Sequence, residues 1–486
     1  MGYTSLKYYI LVIIALFLYY FLPKKIRWII LLVANIFFYF VITKNVVQIA
    51  IFITTIISSF LLGLYICNQR IKKESIRIRR ITLLVGIIIV ISPLIFSKAG
   101  FFIWSFTDNT VILDWILPVG LSFYSMQISA YLIDLYRGNI LPQKNILKYF
   151  LFTSFFPIII QGPISRYEQL SDQLVEGHDY DIQNIMKGIQ LIIWGFFLKY
   201  VIADKAAVFV DAVFENHTAY SGMIILIAGG LYSIQLYTDF LSCVTMSQGV
   251  AQMFGIQIID NFNHPYFSAS VKEFWHRWHI SFSSWLRDYV YIPLGGNRNG
   301  KISKYCNLII TFAISGIWHG GKWKFLFWGL LHAFYQIIEE ITYKAKEKCF
   351  LFAFGEKESV SRKFVETLFT SFFIMISWII FRARSLKVGI KMIVSIFSDF
   401  NVWVLFDNSL FRFGLNQKEF EILFLAILVL IFVSLLQEKG IQIRKWFSEQ
   451  TVVIRWTIYL CAIWSIWIFG TYGFGFTTQD FIYGGF

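Results

Sequence analysis

The sequence predicts an all-helical, polytopic membrane protein. Of its 486 residues, 57% are hydrophobic, 19% are aromatic and only 15% are charged, and the mean hydropathy is +0.63. Soluble domains carry far more charge. Apolar runs recur along the whole chain with no low-complexity linker between them, so we expect a single domain over residues 1–486. The predicted architecture is a bundle of roughly a dozen transmembrane helices, with interfacial and re-entrant helices around a central cavity.

In the first part of the chain, apolar runs alternate with short polar segments, as successive membrane crossings require. Apolar runs cover residues 8–21, 28–42, 46–66, 81–96 and 112–132. The first run lacks the basic flank and the cleavage site of a signal peptide, so we expect an uncleaved membrane helix. Residues 149–160 are short for a full crossing and precede Gln161, Gly162 and Pro163, which predicts a re-entrant segment. Further apolar runs cover 186–210, 223–243, 325–341, 365–381, 420–436 and 453–470.

The net charge of +14 is concentrated in short loops between apolar runs. This distribution is typical of the positive-inside rule and argues against a nucleic-acid partner. The basic segments 68–80, 298–304 and 344–363 are therefore all expected on the cytoplasmic side. The low-charge loop at 107–109 is expected outside. The predicted location is a cell membrane, most simply a bacterial plasma membrane, with lipid as a constant partner.

One stretch, Lys272 to Gly321, stands out among the apolar segments and is called the central stretch below. It contains three of the seven histidines. At about 100° per residue, Trp275, Trp278, Phe282 and Trp285 would form one stripe of a continuous helix, with His276 and His279 on a neighbouring stripe. Such a helix is expected to lie at the membrane surface or a wet cavity, facing the cytoplasm. His319 follows an apolar run and is expected deeper in the bundle, where an ionisable group is usually functional.

The chain offers no convincing metal site. Its five cysteines are scattered and show neither CxxC spacing nor the pattern of a disulfide framework. His276 and His279 are three residues apart, whereas zinc proteases place two histidines four apart and add a further ligand. We therefore predict no metal. His332 is read as a packed core residue, and Arg287 and Asp288 as a local ion pair or a head-group anchor.

The central stretch resembles the membrane-bound O-acyltransferase family. FWHRWHISFSSWLRDYVYIPLGGNR followed by GIWHG carries two histidine motifs, and IPLGGNR is similar to the bacterial alginate O-acetyltransferase-like branch. Further pieces match in order: LPVGLSFYSMQISAYLIDLYRG at 117–138, SFFPIIIQGPISRY at 154–167, FGIQIIDNFNHPY at 254–266 and the GFGFTTQDFIYGGF tail. The resemblance implies that His279 belongs to the first motif and that His319 is the catalytic histidine.

Two positions depart from the family pattern. His276 stands where the family usually has arginine or asparagine, so the resemblance assigns it no role. The segment resembling DFSGYSD is DFLSCVTM at 239–246, which keeps Asp239 but loses the Gly-Tyr pair and the second acid. Roles attached to the lost positions cannot be carried over.

Acyl transfer from a thioester to an alcohol gives a separate reason for a buried histidine. The reaction needs a base for the hydroxyl proton, and a desolvated imidazole stays neutral at physiological pH. A thioester is already activated, and the sequence has no GxSxG elbow to supply a nucleophile. Asn297 and Arg298, in the glycine-containing turn after Pro293, are weaker candidates for contact with donor phosphates.

The resemblance implies transfer of an acyl group, most simply acetyl, from a cytoplasmic thioester to a cell-surface polysaccharide. Acetyl-CoA is the expected donor, with no permanently bound cofactor, and a separate extracytoplasmic acyltransferase is an expected partner. One alternative is D-alanyl transfer to teichoic acid from a carrier-protein thioester. A second alternative, from a different functional class, is a membrane transporter. A transporter is expected to have paired charges or broken helices in corresponding halves of the chain.

Overall fold

The computed structural model describes residues 2–43, 45–104, 118–220, 222–355 and 359–472. Its first nine helices are α1 (Leu6–Phe21), α2 (Arg27–Ile42), α3 (Val46–Ile71), α4 (Ile76–Trp104), α5 (Leu121–Arg137), α6 (Ile146–Thr153), α7 (Tyr167–Glu176), α8 (Ile182–Phe196) and α9 (Asp204–Glu215). The expected outer loop at 107–109, residues 112–117, residue 357 and the tail motif at 473–486 lie outside the described residues.

Ten more helices complete the described chain. They are α10 (Gly222–Met253), α11 (Val271–Arg277), α12 (Ile280–Leu286), α13 (Gly300–His319), α14 (Trp323–Phe354), α15 (Val360–Arg382), α16 (Leu386–Ser398), α17 (Gln417–Glu438), α18 (Ile443–Ser448) and α19 (Val452–Phe469). Within the described ranges, the one β-bridge joins Phe262 to Trp278. The all-helical prediction is confirmed.

Polar side chains between the apolar runs determine where several helices begin. Side-chain oxygens there accept hydrogen bonds from the backbone N–H groups that a first helical turn leaves free. The capping residues of α1, α3, α15 and α16 are Ser5, Asn45, Ser359 and Ser385. The apolar runs of the sequence located α1, α3 and α15, whereas α16 was not predicted.

Eight helices in the described part of the chain are long and apolar enough to cross a membrane. They cover Lys24–Ile42, Val46–Ile71, Ile76–Lys98, Ile182–Glu215, Gly222–Met253, Val360–Arg382, Gln417–Glu438 and Val452–Phe469. Helix α1 is apolar but has only 16 residues. The count is lower than the dozen apolar segments expected, since the helices in four of those segments, α1, α5, α6 and α14, are not among the eight.

The buried side chains form two clusters, and the central stretch contributes to both. Helices α1 to α5 supply most of the first cluster, and helices α9, α10 and α14 to α17 supply most of the second. Phe282, Trp285 and Trp318 belong to the first, whereas Trp275 and Trp278 belong to the second. The central stretch therefore lies where the two clusters of buried side chains meet.

The chain leaves and returns near one residue, Asp288, on either side of the short apolar segment that the sequence predicted to be re-entrant. At the end of α5, Arg137 donates a hydrogen bond to the Asp288 carbonyl at 3.0 Å. The chain then forms α6, turns through 155–162 and arrives at Arg166, which forms an ion pair with the Asp288 carboxylate at 2.9 Å. Because both ends of the segment contact the same residue, the segment enters and leaves on one side of the bundle.

Contacts link the first basic segment to the Asp288 region and the second to the helix that leads into the third. Arg70 packs against the C-terminal end of α5, which is bonded to the Asp288 carbonyl. Lys304, at the start of α13, forms an ion pair with Glu340 on α14, just before the third basic segment. These contacts agree with the predicted common side for all three segments.

Candidate active site around three buried histidines

The continuous helix predicted across the central stretch is wrong, because the chain breaks at Trp278 and His279. Trp278 is extended, and His279 has a left-handed backbone with φ 46°. The break is imposed by the segment 261–263, whose backbone pairs with it: Asn263 N–H donates to the Arg277 carbonyl, and Ile280 N–H donates to the Asn261 carbonyl, both at 2.9 Å. Two short helices, α11 and α12, result.

The break separates the two histidines that the predicted helix placed on one stripe. His276 lies exposed on α11, whereas the side chain of His279 is turned inward and is 1% exposed. The tryptophans are buried as well, with Trp275, Trp278 and Trp285 between 1% and 8% exposed. The expectation of an interfacial tryptophan stripe is therefore also wrong, since these rings pack inside the molecule.

Asn261 fixes the tautomer of His279. The Asn261 Oδ1 atom accepts hydrogen bonds from Ser281 N–H at 3.0 Å and from the Ser281 hydroxyl at 2.8 Å, so this atom is the amide oxygen. It also lies 3.2 Å from His279 Nδ1. An amide oxygen can only accept, so Nδ1 carries the hydrogen and Nε2 carries the lone pair. Burial lowers the pKa of His279 to about 3, and this side chain, outside the spanning helices, is neutral at physiological pH.

His319 ends α13 and is enclosed by aromatic rings. Its side chain is 2% exposed, and its ring centroid lies 5.0 Å from that of Trp328 and 5.5 Å from that of Phe381. Gly320 is required at the next position because a β-carbon there would overlap the ring of Phe325. The group that lies against this glycine is therefore a phenyl ring.

His279 and His319 share two aromatic neighbours. The Phe282 ring centroid is 5.0 Å from that of His279 and 5.6 Å from that of His319. The corresponding distances for Trp318 are 6.2 Å and 4.8 Å. The structure thus brings together the two histidines that lie 40 positions apart in the sequence.

His332 lies in the same region, although the sequence indicated only a packed core residue. It is 0% exposed, and its Nδ1 accepts a hydrogen bond from Trp275 Nε1 at 3.2 Å. The Trp328 ring lies between His332 and His319, with centroid distances of 4.9 Å and 5.0 Å. The sequence does contain one signal for this position of His332. Trp328 and His332 are four residues apart, which places both on one face of α14.

Asn297 and Arg298 lie far from the histidines. Both are exposed in the turn before α13, and the 20 residues of α13 separate them from His319. At 1.5 Å per residue, that distance is roughly 30 Å. Neither side chain can contact the rings of His279 and His319, and both are open to solvent.

Asp239, the acid retained in the divergent segment, forms part of a buried ion-pair cluster. Lys199 Nζ lies 2.7 Å from Asp239 and 2.9 Å from Asp204. Lys199 is carried by a π-helical turn, Phe197–Ala203, inserted between α8 and α9. The wider turn lets Lys199 face α10, where Asp239 lies. This arrangement gives Asp239 a role in joining helices.

Arg287 and Asp288 pair locally, as expected, with Arg287 Nε 2.8 Å from the carboxylate. Asp288 also binds Arg166. The next residue, Tyr289, donates its hydroxyl to Asp134 at 2.5 Å, and the Arg166 guanidinium lies 4.3 Å from its ring centroid. These contacts attach α12 to α5 and to the re-entrant segment.

The family model and the similar proteins found by comparison point to the same family. The model of the membrane-bound O-acyltransferase family (MBOAT) matches residues 141–382. The chain is 37% identical over 319 residues to a probable alginate O-acetylase, AlgI, of Azotobacter vinelandii, covering 65% of this chain and 60% of that protein. It is 33% identical over 369 residues to a peptidoglycan O-acetyltransferase of Helicobacter pylori, covering 70% and 68%.

A more distant relative is the teichoic acid D-alanyltransferase of Bacillus subtilis. It is 28% identical to this chain over 226 residues, which cover 44% of this chain and 57% of that protein.

This chain spans about 60% of the length of the alginate relative. The match with the family model includes His279, His319 and His332.

Proposed function

This chain belongs to the membrane-bound O-acyltransferase family, and we propose that it transfers an acyl group from a thioester to a hydroxyl of a cell-surface polysaccharide. The observation that carries the proposal is the pair of buried imidazoles, His279 and His319, around the shared ring of Phe282. A neutral imidazole in a site without bulk water is the group that can accept a hydroxyl proton at physiological pH.

Each histidine has a separate role in the proposed reaction. His319 takes the proton from the acceptor hydroxyl as its oxygen attacks the thioester carbonyl. His279 holds a fixed lone pair at Nε2, because Asn261 engages its Nδ1, and this lone pair orients the reacting groups. A positioned base of this kind contributes roughly 10²–10⁴-fold to the rate.

We propose acetyl as the acyl group and acetyl-CoA as the donor. The relatives in support are named alginate O-acetylase and peptidoglycan O-acetyltransferase, and both match a larger share of this chain than the D-alanyltransferase does. The basic segments would attract a polyanionic donor with a salt-sensitive association rate. The acceptor would lie on the opposite side, where an extracytoplasmic partner completes the transfer to the polysaccharide.

Transport is the alternative from another class. A transporter would carry its buried charges on broken helices in corresponding halves of the molecule. Here one cluster of buried charges, Lys199 with Asp204 and Asp239, joins α8, α9 and α10, and other buried charges such as Lys98 and Arg362 lie outside it. Family membership and the histidine pair favour the enzyme.

Mass spectrometry of surface glycans tests the proposal in three strains: wild type, a deletion and a chromosomal His319→Ala variant. We expect both mutant strains to lose acetyl esters and to keep D-alanine esters. Loss of D-alanine esters with intact acetyl esters would make the D-alanyl alternative correct. Unchanged esters of both kinds in the deletion strain would contradict acyl transfer to surface glycans.

A further inference from the structure

Three buried polar groups beside His319 lack a hydrogen-bond partner among the described residues. They are Ser315 Oγ on α13, and Trp328 Nε1 and His332 Nε2 on α14. All three side chains are 0% exposed. Burying a polar group without a partner is costly, and native proteins seldom do so without a functional reason.

The three groups lie on the facing surfaces of two packed helices. Ser315 precedes His319 by one helical turn and shares its face of α13. Facing it, the Trp328 ring contacts His319 at 5.0 Å and the His332 ring contacts Phe312 at 6.2 Å. Since Phe312 lies one turn before Ser315, the hydroxyl is at a level between the two rings.

Hydrogen bonding fixes the chemical character of this group of side chains. Trp275 Nε1–H donates to His332 Nδ1 at 3.2 Å, so Nδ1 is the acceptor atom, and a neutral ring then carries its hydrogen at Nε2. Indole nitrogen is always a donor. Trp328 and His332 therefore present two N–H donors. Neither donor has an acceptor among the described residues.

We propose that Trp328 Nε1–H and His332 Nε2–H bind the thioester carbonyl oxygen and the oxyanion that forms from it. This inference rests on the proposed acyl transfer and adds catalytic residues to that site. In a dry site, donors fixed in advance stabilise developing negative charge more than water does, because they need no reorganisation.

The proposed transfer forms one ester bond and breaks the carbon–sulfur bond of the thioester. The acceptor hydroxyl oxygen bonds to the carbonyl carbon, its proton passes to His319, and the carbonyl π pair moves onto oxygen between the two N–H donors. When that pair returns, the carbon–sulfur bond breaks, and the leaving thiolate takes the proton back from His319. The products are an ester and a free thiol, and no oxidant or reductant is needed.

The test is the kinetics of acetyl transfer from acetyl-CoA by full-length protein in membranes. Trp328→Phe removes the N–H group and keeps an aromatic ring. We expect kcat to fall by roughly 10²–10³-fold, the usual effect of losing one oxyanion donor, with KM changed by less than about threefold. His332→Phe is expected to lower kcat in the same way. His332→Gln retains an N–H donor, so its kcat is expected to be at least about tenfold higher than that of His332→Phe.

Trp378→Phe is the matched control. Trp378 is a fully buried indole whose ring stacks on that of Trp328 at 5.5 Å, yet it is not among the ring neighbours of His319. Its variant is expected to keep a kcat within about threefold of wild type. The fraction of folded protein, from gel filtration, normalises each rate.

The outcomes separate the two proposals. Active wild-type protein together with an equally active, folded Trp328→Phe would overturn the oxyanion site and leave acyl transfer standing. Equal kcat losses in Trp328→Phe and Trp378→Phe would also overturn it, since packing alone would then explain both. Wild-type protein that transfers no acetyl group would contradict the proposed function itself.

Discussion

His276 and His279 are three positions apart and occupy opposite environments. His276 is exposed on α11, and the pKa of its side chain is lowered by partial burial and by Lys272 and Arg287. His279 is enclosed, and Asn261 holds it in one tautomer. The family resemblance identified His279 but gave no role to Asn261. The contact that fixes the tautomer of His279 comes from a residue 18 positions earlier, and sequence periodicity does not report such contacts.

At the same scale, replacing Asn261 with aspartate should change the pH dependence of the reaction. Burial holds the pKa of His279 at about 3, so its neutral form persists down to acidic pH. A carboxylate beside Nδ1 would favour the imidazolium and raise that pKa. We expect Asn261→Asp to lose activity as the pH falls from 8 to 5.5, over a range in which His279 stays neutral in the wild type.

The measurement is the acetyl-transfer rate against pH for both proteins, each corrected for folded protein. A conservative Ser284→Ala variant on α12 serves as control, because within the described part of the chain the Ser284 hydroxyl bonds only the carbonyl of Ser281 in its own helix. Identical pH profiles for wild type and Asn261→Asp would contradict the contact between Asn261 and the functional ring of His279.

At the scale of elements, the sequence predicted the positions of the long helices well. Apolar length is a local feature, and it located α2, α3 and α10. The break at Trp278 and His279 was missed because the apolar period continues through it. What ends α11 is backbone pairing with 261–263, a non-local interaction. The π-helical turn at Phe197–Ala203 was equally unpredictable, since its benefit lies in the ion pairs of Lys199.

Lys199 should therefore be essential for stability. Lys199→Met would leave Asp204 and Asp239 buried without their cation, and breaking such a cluster costs about 3–5 kcal/mol. We expect a large loss of thermal stability and yield in detergent. The control Arg287→Ala removes an ion pair whose arginine side chain is 57% exposed, a kind of pair that contributes about 1 kcal/mol or less. Equal melting temperatures for the two variants would contradict the structural role of the cluster.

At the scale of the whole molecule, the positive-inside rule predicted a common side for three basic segments, and the contacts of the described residues agree with that prediction. The turn after α5 and the re-entrant segment meet at Asp288, and Lys304 pairs with Glu340. The meeting of His279, His319 and His332 could not be predicted from periodicity, because it depends on how α12, α13 and α14 pack. Motif resemblance supplied two of the three residues.

Membrane topology is open to a direct test. Single cysteines introduced at Lys73, Lys301 and Lys348 in a cysteine-free background should resist an impermeant thiol reagent in intact cells and react after permeabilisation. A cysteine at Asn408, in the loop before α17, should react in both conditions. Clear labelling of two of the three basic-segment cysteines in intact cells would overturn the orientation.

The central claim is that His319 is the base, and its most direct test is the acyl-transfer rate of three variants in membranes, normalised to folded protein. His319→Ala should lose roughly 10²–10⁴-fold, equivalent to about 3–5 kcal/mol of transition-state stabilisation. Adding His279→Ala should lower the rate little further, because the two act as a unit. His276→Arg should keep most activity, since the side chain is exposed. An active His319→Ala beside an inactive His276→Arg would show that the base is a different histidine.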